Sequence, residues 1–127
     1  MKRVEFIYPY TIVEENGLYG IIDSKDNLIV PCVMDKISND KNDDIGLDTW
    51  SDCFCVIVCK NGKYGFFTKN GKLIEPAYEA YAIDPCSGDI HVRTEEGYGV
   101  FASPDYIFEE LPTQSSFLAG LDSNDND

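Results

Sequence analysis

Three cysteines at strand spacing are the residues with the most chemical reach. They are Cys53, Cys55 and Cys59, within Cys53-Phe54-Cys55-Val56-Ile57-Val58-Cys59. On an extended strand they share one face with Ile57, and same-face neighbours stand roughly 7 Å apart. Three thiolates so placed could hold a soft metal, and zinc would need a fourth ligand from Cys32, Cys86 or His91. The same residues also serve as small apolar packing groups. Phe54, Val56 and Val58 make the opposite face apolar as well, which is how a strand buried on both faces reads. Packing is the expectation, with neither metal nor cofactor.

A second group is acidic. Residues 38–52 carry Asp40, Asp43, Asp44, Asp48 and Asp52 around Trp50, the only tryptophan. The carboxylates suggest a calcium loop, but the glycine and the closing glutamate are not where such a loop needs them. Trp50 amid carboxylates could anchor a contact with a partner, or it could cap the core where the segment rejoins a sheet. The partner-binding expectation rests on Asp40, Asp43, Asp44, Asp48, Trp50 and Asp52.

Catalytic sets are incomplete. His91 is the only histidine, so triad and zincin chemistry lack parts. Cys86 with His91 is a conceivable nucleophile pair, but nothing in the sequence orients the imidazole. Glu79, Glu109 and Glu110 read as solvated carboxylates rather than a glycosidase pair. The glycines sit at turns, not in a phosphate-cradling loop. The chain is expected to be no enzyme.

The elements that position these residues come from a repeat. Asn61-Gly62 and Asn70-Gly71 flank Lys63 to Lys69, and Asn-Gly between apolar runs signals a type I′ hairpin turn. Asn16-Gly17 repeats the first turn, and Lys25-Asp26-Asn27 replaces the second. A weaker third copy has Glu96-Gly97 and Ser103-Pro104-Asp105 at its turns. Each copy reads as a meander of three short strands, with a fourth extended stretch at Ala77 to Tyr81. The fixed point is Tyr19-Gly20, Tyr64-Gly65 and Tyr98-Gly99. A glycine inside a strand marks a bulge or a close backbone approach, with a ring over the gap. A row of ligand-stacking tyrosines is the alternative. The fold expected is all-β, a succession of about ten to twelve short antiparallel strands.

The pattern resembles the WG repeat, of the form Gly-x-Trp/Tyr-Gly-hydrophobic-hydrophobic-Asp-x-x-Gly-x-hydrophobic-hydrophobic-x-Pro-x-Tyr-Asp/Glu. Gly62-Lys63-Tyr64-Gly65-Phe66-Phe67 with Asn70-Gly71-Lys72-Leu73-Ile74-Glu75-Pro76-Ala77-Tyr78-Glu79 matches it closely. Gly17-Leu18-Tyr19-Gly20-Ile21-Ile22-Asp23 with Leu28-Ile29-Val30-Pro31 matches well. The third copy lacks the residue between Gly97 and Tyr98 and has Glu110 where proline belongs. Tyrosine stands at every tryptophan position. The resemblance covers most of residues 12–111, giving two clear repeats and one degenerate. It implies a β-rich array used for binding or scaffolding, and it brings no catalytic residues.

Residues 1–112 are expected to form one domain interrupted at 38–52, with residues 113–127 as a polar, flexible tail in which Phe117, Leu118 and Leu121 are spaced to dock as one helical turn. So few repeats suggest a capped or dimeric array. The net charge of −13 repels nucleic-acid backbones and anionic membranes and favours a basic partner. Lys60, Lys63, Lys69 and Lys72 make the central copy locally basic. Five cysteines, an odd number, argue against a disulfide framework and for a cytoplasmic location. The expected function is a non-catalytic acidic protein-binding module, in its concrete form an immunity or inhibitor protein that neutralises a basic protein. The alternatives are a structural repeat module, or a small-molecule or glycan binder using surface aromatics.

Overall fold

The computed structural model describes residues 1–39, 41–42, 47–48, 50, 55–113 and 118, with 41–42 and 47–48 as backbone only. Strands β1 (Lys2–Ile7), β2 (Tyr10–Glu15), β3 (Leu18–Ile22) and β4 (Leu28–Met34) form the first sheet, in that order. After β5 (Lys36–Ser38) comes a two-stranded ribbon of β6 (Lys41–Asn42) and β7 (Leu47–Asp48). Then β8 (Cys55–Lys60), β9 (Lys63–Thr68) and β10 (Leu73–Tyr78) complete a second sheet in the order β10-β9-β8-β5. The third sheet is β11 (Ala80–Ile83), β12 (Ile90–Arg93), β13 (Tyr98–Ala102) and β14 (Ile107–Leu111). The protein is all-β, built from successive antiparallel meanders.

The turns explain the meanders. Asn16-Gly17 and Asn61-Gly62 both have positive φ at each residue, as a type I′ turn requires. Asn70-Gly71 does not repeat this: only Gly71 is left-handed, at φ +85°. Its loop is closed by the Gly71 N–H donating to the Thr68 carbonyl and the Thr68 N–H donating to Lys72. The first copy builds the same loop without glycine. Asp26 takes the left-handed place at φ 67°, its N–H donating to the Asp23 carbonyl while the Asp23 N–H donates to Asn27.

The fourth strand of each later sheet is a correction to the sequence reading. After Pro76 only Ala77 and Tyr78 stay with their own meander, as the end of β10, and no fourth strand is added there. The chain bends at Glu79 and starts the third sheet at Ala80, just as it bends at Asp35 and starts the second sheet at Lys36. Both bends make the same bond across to the new sheet. The Asp35 N–H donates to the Cys59 carbonyl and the Glu79 N–H to the Arg93 carbonyl, each at the residue paired with a repeat tyrosine. An apolar, alternating run on both sides of the bend hides it from pattern reading.

The sheets stack, and the middle one is apolar on both faces. Val56, Val58 and Phe67 join Ile12, Ile21, Val30 and Met34 of the first sheet in one core. Cys55, Ile57, Phe66 and Ile74 join Ile90, Val92 and Phe101 of the third sheet in another. Strand β8 therefore alternates between two cores, as its sequence implies. The third sheet ends the stack. On β12 the outward positions His91 and Arg93 correspond in register to Ile57 and Cys59 of β8, so polar side chains stand on that strand where β8 faces its second core. On the far face of the first sheet Val13 and Ile22 are buried; Leu118 is buried as well, at 2 % exposed. Phe117 and Leu121, with the rest of the expected tail, lie outside the described residues.

Candidate interaction surface

Glycines 20, 65 and 99 fix how each repeat closes. In the first two copies the neighbouring strand carries two extra residues opposite the glycine: Tyr19 pairs with Met34 and Ile21 with Val30, while Tyr64 pairs with Tyr78 and Phe66 with Ile74. The bulged backbone, bearing Pro31 or Pro76, presses onto the glycine. A Cβ on Gly65 would stand 2.6 Å from the Pro76 nitrogen, and one on Gly20 would stand 3.0 Å from the Cys32 nitrogen. The third copy has no proline at this place and no bulge. Tyr98 pairs with Leu111 and Gly99 with Glu110 in unbroken register, and the Phe108 ring lies over Gly99 instead.

The first turn of that copy is also rebuilt, but not by deletion. Arg93 pairs with Tyr98 across four residues, as Cys59 pairs with Tyr64, so Gly97 occupies the place of Lys63. Thr94 holds the turn: its Oγ1 accepts from the Glu96 and Gly97 N–H groups, and its N–H donates to the Gly97 carbonyl. Together these changes leave a cleft of about 470 Å3 between the end of β10 and the third sheet. Tyr78 and Phe108 give it aromatic walls, and Glu95, Glu96 and Glu110 line it too. Tyr78 lies near-parallel to Phe108, with 6.5 Å between ring centroids. Burial raises the Tyr78 phenol above its ordinary value. The sequence offered one pointer to this place, the misfit of the third copy.

Trp50 is where the acidic insertion meets the core. It is 4 % exposed, so the core-capping reading holds, and the ring presents no area to a partner in this state. It stacks on Phe67 with centroids 6.2 Å apart and meets Tyr10 edge-on at 6.0 Å. Its N–H donates to Asn39 Oδ1 at 2.7 Å, and its indole Nε1 donates to the Tyr8 carbonyl at 3.4 Å. The Lys69 ammonium stands 5.6 Å from the ring centroid. One side chain thus ties the insertion, the first sheet and the second sheet together. Among the other expected contact residues, Asp48 lies on β7 with only its backbone described. Asp40, Asp43, Asp44 and Asp52 lie outside the described residues.

The lysines of the central copy make contacts along the edges of the stack. Lys60 Nζ donates to the Val33 carbonyl at 2.8 Å, reaching the first sheet. Lys72 Nζ donates to the Tyr106 carbonyl at 2.8 Å, reaching the third. Lys63 bridges to Glu79 at 3.4 Å and Glu95 at 3.6 Å, and Lys69 covers Trp50. Lys60 and Lys72 thus meet main-chain carbonyls of the two neighbouring sheets.

The thiols and the histidine are dispersed. Cys55 is buried, Cys32 and Cys59 are half-buried, and Cys86 is exposed, while Cys53 lies outside the described residues. Cys86 sits on the turn between β11 and β12, where the Asp84 carboxylate accepts its N–H at 2.9 Å. That bond, first among several, holds Asp84 below the usual carboxylate range. Burial lowers His91 below the ordinary imidazole value, against the opposing pull of Asp89 and Asp84. Among the described residues no three His, Cys, Asp or Glu side chains stand close enough to share a metal ion. Comparison with protein-family models, with curated proteins and with solved structures found no match for this chain.

Proposed function

We propose that this chain is a non-catalytic, acidic protein-interaction module of WG-repeat type that binds a basic protein and, in its most concrete form, inhibits it. The observation that carries the reading is the use of the central lysines. Lys60 and Lys72 donate to main-chain carbonyls of the neighbouring sheets, in a chain of 23 carboxylates against 10 cations. A surface of one sign steers an oppositely charged protein and discriminates against like-charged ones.

The test is affinity capture from the native lysate at low ionic strength, with identification of what a salt gradient elutes. The reading expects a basic protein released at moderate salt, and mixing the purified pair should suppress that protein's activity. Retention of acidic or neutral proteins that salt does not release would overturn it.

A further inference from the structure

The departures of the third copy from the repeat converge on one place. Glu110 stands where the other copies carry the proline-bearing bulge, Glu95 and Glu96 stand where Asn61-Gly62 turns, and Phe108 covers the glycine that backbone covers elsewhere. All four line the same cleft of about 470 Å3. A repeat that abandons its own consistent solution at several positions, all facing one cavity, has a use for that cavity. Capping the stack does not account for it, because the cap is the outward face of β12, with His91 and Arg93.

The walls specify the occupant. Tyr78 and Phe108 offer ring faces, which attract a cation and cover an aliphatic stem. Phe108 is 40 % exposed, much for a ring packed over a glycine. Glu95 is shared with Lys63 at 3.6 Å. Among the described residues the Glu96 and Glu110 carboxylates have no ion pair. A neutral or anionic ligand would leave two carboxylates beside it unmatched.

We infer that the aromatic cleft between β10 and the third sheet receives a basic side chain, arginine or lysine, of the partner protein. The stem lies against Tyr78 and Phe108, and the cationic head meets Glu96 and Glu110. This rests on the interaction reading above and assigns it a site.

The test titrates the 15N-labelled protein with a nine-residue arginine peptide at low salt, followed by amide chemical shifts. The citrulline peptide, of the same shape but uncharged, is the comparison. Saturable shifts at Glu96, Gly97, Tyr98 and Gly99 are expected with arginine and not with citrulline. The pair Glu96→Gln with Glu110→Gln should weaken binding roughly tenfold. The pair Glu15→Gln with Asp26→Asn removes equal charge from the first sheet and should weaken it less than about twofold. Matched unfolding temperatures establish that both pairs are folded. Equal weakening by the two pairs, or shifts centred elsewhere, overturns the cleft while a salt-released basic partner still supports the interaction reading. Absence of any saturable binding also overturns the cleft, and the interaction reading falls with it only if capture yields no basic protein.

Discussion

A Cβ on Gly65 would stand 2.6 Å from the Pro76 nitrogen and 2.8 Å from the Glu75 carbonyl carbon, distances that folded backbone does not tolerate. The obstacle is backbone on a bulge and cannot swing aside. Gly65→Ala should therefore cost about 3 kcal/mol, near the upper end for overpacking. Gly99→Ala meets the tip of the Phe108 ring, a side chain that can rotate away, and should cost about 1 kcal/mol. Urea unfolding of the two variants measures the difference. Equal losses would contradict the account of how the bulge and the glycine fit.

Trp50 is an anchor of the fold. Trp50→Ala removes a buried ring stacked on Phe67 and should cost about 3–5 kcal/mol, as large aromatic truncations do. Lys69→Met keeps the stem and removes the cation over the ring, and should cost about 0.5–1 kcal/mol. Native tryptophan emission should be blue-shifted and move to the red on unfolding. Emission typical of a solvated indole in the native protein would contradict the burial.

The thiols should separate by reaction rate. Cys86 is exposed and should react with a thiol reagent first. Burial, and secondarily the Glu15 carboxylate, pushes the Cys32 thiol above its ordinary value, so its labelling at neutral pH should lag and accelerate as pH rises. Cys55 should label only on unfolding. Peptide mass mapping over time gives the order, and native labelling of Cys55 as fast as Cys86 would refute the two-core packing of β8.

Stability should fall on mild acidification because of His91. Its folded pKa is lowered by burial, so the folded state favours the neutral ring. The unfolded chain takes up the proton near pH 6.5, the ordinary value. The stabilisation of the neutral ring is thus complete above that pH and is lost as pH falls through the folded pKa. Asp84 and Asp23 are lowered carboxylates whose contributions are lost in a separate window, below their ordinary value of 3.8. Between pH 7.5 and 5.5 the unfolding temperature of the native protein should drop more than that of His91→Gln. Parallel curves would contradict the assignment.

Much of the fold is legible in the chain because its signals are local. Asn16-Gly17 and Asn61-Gly62 have one backbone solution between apolar strands, and the alternation at 55–59 shows both faces buried without any partner in view. Tyr-Gly announces a close approach, though which backbone approaches depends on a bulge about eleven residues further along, which the glycine itself does not encode. Asp35 and Glu79 end a strand and begin the next sheet within one residue, a change of partner that period-two patterning does not register. The turn at Asn70-Gly71 reads as type I′ and is not, because the loop is set by Thr68 bonding across to Gly71 and Lys72. The cleft joins Tyr78 to Phe108 and Glu110, thirty residues apart in sequence, and becomes visible only when the sheets stack.

The central claim is that the acidic surface drives recognition of a basic protein. The measurement closest to it is the dissociation constant for the captured partner as a function of ionic strength. The account predicts a basic partner whose affinity falls steeply as salt rises, chiefly through slower association. It also predicts that a folded variant lacking residues 39–48 retains part of this dependence, since the carboxylates of the cleft remain. An affinity indifferent to salt, for a partner without excess positive charge, would contradict it.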